Sequence, residues 1–152
     1  MPPVTVPDLV PILQMAIGPV ILISGVGLLL LSMTNRLGRV VDTAREMAEA
    51  LRAAAPEEKA KLVAELRILM RRGRLLRSAI YLASVSVLLA AVLVFVLFLT
   101  AIFGLRTAPL IMAAFATCLG ALIAALVYFI KDVNLSLVAL KLEMAANGVT
   151  DA

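Results

Sequence analysis

The chain has 152 residues, 63% of them hydrophobic and 16% charged, with a mean hydropathy of +1.09 and a net charge of +4 at pH 7. A water-soluble fold of this size cannot hide so much apolar surface, so the composition excludes an ordinary soluble domain and points to the membrane. The lack of histidine excludes His-based metal sites and His-dependent triads, and the single cysteine, Cys118, excludes an intramolecular disulfide.

Pro2, Pro3 and Pro7 keep the leader extended, with Asp8 as the expected N-cap of the first helix and Pro11 in its first turn. A charge-free apolar run follows over Leu9–Met33, longer than the ~20 residues that cross a bilayer core. It is too long for a signal-peptide core and its leader carries no Lys or Arg, so residues 1–33 read as a leader and a retained first span. Gly18-Pro19 falls inside this span, where the missing N–H of Pro19 predicts a kink, either a fixed bend held by neighbouring helices or a hinge.

The segment 34–77 carries 11 of the 14 Lys and Arg residues. No Pro or Gly separates it from the first span until Gly38, so the helix is expected to continue out of the membrane. Apolar residues recur at Leu37, Val40, Val41, Ala44, Met47, Ala48 and Leu51, which is helical spacing. Ala53-Ala54-Ala55-Pro56 ends this stretch, and Pro56-Glu57-Glu58 starts a second helix with Pro at its first position and carboxylates at the positive end of its dipole. A second stripe follows at Leu62, Leu66, Leu69, Met70, Gly73 and Leu76. Two legs of matching length make an antiparallel hairpin that returns the chain to the membrane face it left.

The second and third charge-free runs cover residues 78–103 and 108–130, joined by Gly104-Leu105-Arg106-Thr107. So short a link makes them antiparallel neighbours, with Gly104 suited to a C-cap and Thr107 to an N-cap. Beyond Ile130 nothing breaks the helix before Asn147-Gly148. Leu135, Val138, Ala139 and Leu142 there share a face that suits docking on the hairpin, within a C-terminal segment 131–152. The fold class is therefore all-α: three transmembrane helices and a helical hairpin between the first and second. Positive loops mark the cytoplasmic side, which places the hairpin and the C-terminus inside and the N-terminus and the 104–107 turn outside.

Three groups of residues are candidates for function. Asn35, Arg36, Arg39 and Asp42 follow the first span; they form either an interfacial patch whose Arg side chains snorkel to lipid phosphates or a polar mouth where several copies meet. Asp42 is three residues from both Arg39 and Arg45, so local helical ion pairs are expected. Arg71, Arg72, Arg74 and Arg77 abut the second span, where they suit contact with anionic lipid or simply enforce topology. In the third span Ala113, Thr117, Gly120, Ala121 and Ala124 make a small-residue face for close helix packing, within the chain or between copies. Cys118 reads as a small packing residue.

No phosphate loop, strand pattern or intramembrane carboxylate is present in the sequence, so an enzyme is not expected, nor is a cofactor or a metal. No aromatic residue lies between Arg36 and Arg77, which argues against nucleic acid. The expected partners are membrane lipids, a second copy of the chain in a homo-oligomer, and a cytosolic protein. A pore- or transport-like assembly with a basic cytosolic mouth heads the functional readings; a scaffold recruiting a protein or anionic lipid through the hairpin, or an insertase, are the alternatives.

Two stretches carry a resemblance. Ser32-Met33-Thr34-Asn35-Arg36-Leu37-Gly38-Arg39-Val40-Val41-Asp42 and Lys131-Asp132-Val133-Asn134-Leu135-Ser136-Leu137-Val138-Ala139-Leu140 resemble the two hallmarks of an uncharacterised bacterial membrane family, a domain-of-unknown-function family. The family pattern usually has an Arg after the first Asp, where this chain has Thr43. The resemblance implies a three-span inner-membrane protein and lends no activity. A looser likeness, of topology alone, is to the Oxa1 insertase superfamily.

Overall fold

The computed structural model describes residues 6–103 and 108–146, and their side chains except at 6–9, 12, 15 and 138–146. Three helices account for the described residues: α1 (Val6–Ala53), α2 (Pro56–Phe103) and α3 (Ala108–Ala146). All three are long and apolar enough to cross a membrane. Only 11–22% of the most apolar window of each is buried within the chain. Side chains such as Ile21, Leu28, Leu88, Phe95, Met112 and Ile123 stand outward, as hydrocarbon-facing residues do and as a water-soluble surface could not tolerate. The all-α class is as the sequence predicts, and each charged extension continues its span without a break.

The helix starts differ from expectation at one place. α1 begins at Val6, ahead of the expected cap Asp8, and Pro11 falls beyond the first turn. Pro7 permits this, because the first four N–H groups of a helix have no intrahelical acceptor and losing one costs nothing. The backbone stays helical on both sides of Pro19, which is buried. The turn at 104–107, with its expected caps Gly104 and Thr107, lies outside the described residues, as do the expected stop Asn147-Gly148 and the side chains of Val138, Ala139 and Leu142.

Buried positions recur on a seven-residue repeat. In α1 Pro19, Val26, Met33 and Val40 follow it, with Ala16 buried three residues ahead of Pro19; in α3 Cys118, Ala125 and Asp132 follow it. In α2 the buried residues Leu76, Ala79, Ala83, Ser86, Ala90 and Leu93 alternate steps of three and four. A 3.5-residue repeat keeps one narrow seam of each helix inward, and the seam is built largely of small residues that let backbones approach.

The chain divides into two compact units, Met1–Leu31 with Tyr81–Ala124, and Ser32–Ile80 with Ala125–Ala152. In the first unit Ser86 and Cys118 are both buried and exchange hydrogen bonds: Ser86 Oγ donates to the Cys118 carbonyl at 2.9 Å, and Cys118 Sγ donates to the Ser86 carbonyl at 3.2 Å. Thr117 Oγ1 donates to the Ala113 carbonyl one turn back at 2.8 Å, which leaves no polar group facing hydrocarbon unpaired there.

The second unit contains the hairpin. Its turn is Ala54-Ala55, and the Ala55 carbonyl accepts from Glu58 N at 3.1 Å and Lys59 N at 3.2 Å, so Ala55 caps α2 with Pro56 at the first helical position. Glu57 and Glu58 follow in the first turn, beside the positive end of the dipole. The two stripes predicted for the legs supply the core residues Val40 and Leu76, while Val41 and Met70, also assigned to the stripes, are exposed at the stripe edges. At Gly73 a Cβ would lie 3.6 Å from Val40 Cγ1, which marks the close approach of α1 and α2.

Candidate functional site

The chemistry of the second unit gathers around one carboxylate. Asp132 lies two residues past the end of the charge-free run of α3, and seven past Ala125 on the buried seam, so the helix turns it inward rather than toward solvent. Its side chain is fully buried. Arg36 of α1 places Nη2 3.4 Å from Oδ2, and Arg72 of α2 places Nε 3.5 Å from Oδ1; the two Arg side chains are 28% and 22% exposed. Thus one charge from each helix meets at a single point. A lone buried carboxylate costs several kcal/mol, and two guanidinium groups offset that cost.

The distances exceed the ~2.7–2.9 Å of a charge-assisted hydrogen bond. Neither Asp132 oxygen nor Arg72 Nε has a hydrogen-bond partner, and neither does Ser136 Oγ, one turn further along α3. The Arg36 guanidinium is also held from its other surroundings: its Cζ lies 5.3 Å from the centroid of the Phe129 ring, within cation–π range.

The same two arginines line a groove of about 370 Å³ with Arg39, Val40, Thr43 and Leu69. Asp132 is not among the lining residues. Arg39 makes no ion pair among the described residues, so three guanidinium groups line the groove against one carboxylate, which pairs with two of them, and the groove carries an excess of positive charge. Val40 and Leu69 give it an apolar side. The arrangement is equipped to bind an anion that carries an apolar substituent. No cluster of three or more His, Cys, Asp or Glu is present among the described residues, so the site has no metal-holding set.

The structure brings together Arg36, Arg39 and Arg72 of the candidate residues and separates the rest. Asn35 and Asp42 are exposed and do not line the groove. The expected ion pairs of Asp42 with Arg39 and Arg45 do not form; exposed pairs at this spacing gain only ~0.2–0.5 kcal/mol, too little to fix two long side chains. Arg71, Arg74 and Arg77 are exposed, but Arg72 is turned to Asp132 because it lies three residues from Leu69 and four from Leu76 on the inward stripe. On α3, Ala113, Thr117 and Gly120 are exposed and Ala121 and Ala124 half-buried; the chain's own packing buries Cys118 and Ala125 instead.

Sequence reasoning missed Asp132 and Thr43 as parts of one site. The signal for Asp132 was available: it continues the seven-residue series of Cys118 and Ala125. For Thr43 no local signal exists, because an exposed threonine on a solvated helix is unremarkable until the groove beside it is seen.

Three apolar helices with narrow buried seams and a charged helical extension define a multi-pass α-helical membrane protein. The profile of the family described as "Protein of unknown function (DUF2721)" matches residues 16–142, and the chain belongs to that family. No curated protein and no solved structure matches, so the likeness to the Oxa1 insertase superfamily has no support. The matched range includes all of Arg36, Arg39, Thr43, Arg72 and Asp132.

Proposed function

We propose that this protein is a non-enzymatic scaffold of the bacterial inner membrane that recruits a negatively charged partner at the groove between the legs of its hairpin. One observation carries the reading: Arg36, Arg39 and Arg72 converge on a single recess with one carboxylate to balance them. The Lys and Arg bias of the 34–77 segment supports a cytosolic hairpin and C-terminus with the N-terminus outside. That orientation predicts that a cysteine replacing Arg45, in a Cys118→Ala background, is labelled by membrane-impermeant maleimide only after cells are opened. The scaffold reading predicts that Arg39→Glu lowers binding of anionic ligands to the purified protein in zwitterionic nanodiscs, while Arg45→Glu, outside the groove, does not. Equal effects of the two substitutions count against a groove-based site.

The exposed small-residue face of α3, Ala113, Thr117 and Gly120, favours a second reading, a homo-oligomeric, pore- or transport-like assembly. It predicts a mass in mild detergent of more than one chain, and ion flux in liposomes that changes in an Arg36→Ala, Arg39→Ala double variant. A monomer without flux rules it out. The insertase alternative has no observation of its own among the residues of the site.

A further inference from the structure

We infer that the groove of Arg36, Arg39, Thr43 and Arg72 is a binding site for the phosphate of an anionic phospholipid, with Asp132 holding two of its arginines in place. The inference rests on the anion-binding reading above and names its ligand. It begins from the donors. Asp132 engages Arg36 through Nη2 and Arg72 through Nε. A guanidinium has five N–H donors in a fixed plane, so each arginine keeps donors of its own for a second acceptor while the carboxylate fixes its orientation. Arg39, with no ion pair among the described residues, brings a full guanidinium, and the Thr43 side chain, one helical turn on, brings a hydroxyl. Planar forks converging on one recess match the geometry of a tetrahedral oxyanion.

Depth and shape favour a lipid over a protein. Arg36 and Arg39 are three and six residues past Met33, the last residue of the charge-free run of α1, which puts them ~4.5 and ~9 Å beyond its end at ~1.5 Å per residue. The headgroup layer on each side of a bilayer is ~5–8 Å thick, so Arg36 lies within it and Arg39 at its outer edge, from where a long side chain reaches back to phosphate. Arg72 is six residues before Ser78, where the charge-free run of α2 starts, and so stands ~9 Å out on the other leg, level with Arg39. The recess of about 370 Å³ is the size of a small-ligand pocket, and Val40 and Leu69 line it with hydrocarbon where a glyceryl ester would lie.

Native mass spectrometry of the delipidated full chain, after exchange into nanodiscs of phosphatidylcholine doped with phosphatidylglycerol, tests this. One phosphatidylglycerol retained per chain in preference to phosphatidylcholine is expected. Arg39→Gln should lower its retention by roughly tenfold, the loss of a charge-assisted bond, and Arg45→Gln, on the same leg but outside the groove, should leave it unchanged. Arg39 is exposed, so its variant should keep the parent unfolding midpoint, which separates lost binding from lost fold. Asp132→Asn should also weaken retention, because Arg36 and Arg72 lose their anchor. Equal retention of both lipids, or equal losses for Arg39→Gln and Arg45→Gln, overturns the inference. Inorganic phosphate that displaces the lipid at stoichiometric concentration overturns it in favour of a soluble phosphate ester. An oligo-glutamate peptide bound in an Arg39-dependent manner, with no lipid preference, overturns it while leaving the scaffold reading in place; loss of Arg39 dependence for every anion removes both.

Discussion

The two units solve one problem with different chemistry. In the first, a polar pair on the buried seam is neutral: Ser86 and Cys118 exchange hydrogen bonds with each other's carbonyls, and every donor finds an acceptor nearby. In the second, a charged cluster takes its place: the buried Asp132 meets Arg36 and Arg72 at 3.4 and 3.5 Å without a hydrogen bond. The neutral pair adds a modest local attraction and asks little of its surroundings. The charged cluster is costly unless complete, and two of its three members also line an open groove. The comparison separates polar groups that serve packing from polar groups whose retention calls for a further role.

The largest effect should come from breaking the charged cluster on its basic side. An Arg36→Met, Arg72→Met double variant leaves Asp132 buried without a partner and should cost about 3–5 kcal/mol, read as a fall in the unfolding midpoint in mild detergent. Adding Asp132→Leu removes the stranded charge and should restore most of that loss, since a buried ion cluster replaced by apolar groups is often neutral. A triple variant no more stable than the double one would show that the arginines act through packing and not through the carboxylate. Removing the acid alone is milder: Asp132→Asn leaves two arginines that are partly exposed and can turn to water, with an expected cost of about 1–3 kcal/mol.

The neutral pair should respond far less. Ser86→Ala removes the donor to the Cys118 carbonyl, and interhelical hydrogen bonds within membranes average only ~0.6 kcal/mol, reaching ~1.7. Cys118→Ser keeps a donor in place of the thiol and should be close to neutral. The comparison sharpens if Ser86→Ala and Asp132→Asn differ by more than twofold in cost, and fails if the two are equal. A thiol reagent gives an independent reading: Cys118 is buried, so alkylation should track unfolding and not precede it.

The first unit was more legible in the sequence than the second. Charge-free runs of spanning length announce membrane helices by themselves, because no other environment accepts them. The hairpin was legible from Ala53-Ala54-Ala55-Pro56 and the two apolar stripes, since a proline at the first helical position and carboxylates behind it have one reading. Arg36 and Arg39 could be picked as candidates because they are the first charges past a span. Their convergence with Arg72 could not, because it depends on the rotation of α2 relative to α1, and no pattern within one helix says which face of α2 meets Val40. Asp132 shows the limit most clearly. Its neighbour Lys131 and its place just beyond a span suggest an exposed helix end, and only the seven-residue spacing from Ala125 argues for burial. Among the small residues of α3, likewise, composition announces close packing but only phase decides which of Ala113, Cys118 and Ala125 turns inward.

The smallest expected effect tests the close approach of the two legs at Gly73. Gly73→Ala places a methyl group 3.6 Å from Val40 Cγ1, an ordinary van der Waals distance that requires no displacement of either helix. Glycine within a helix costs ~0.8–1 kcal/mol relative to alanine, so the substitution should raise stability by up to that amount and leave the groove arginines and their anion binding unchanged. A bulkier Gly73→Leu, by contrast, must push α1 and α2 apart at Val40 and so separate Arg36 from Arg72. If the alanine variant is destabilised as strongly as the leucine one, the two legs sit closer than 3.6 Å implies. If neither changes anion binding, the spacing of the arginines is not what makes the groove.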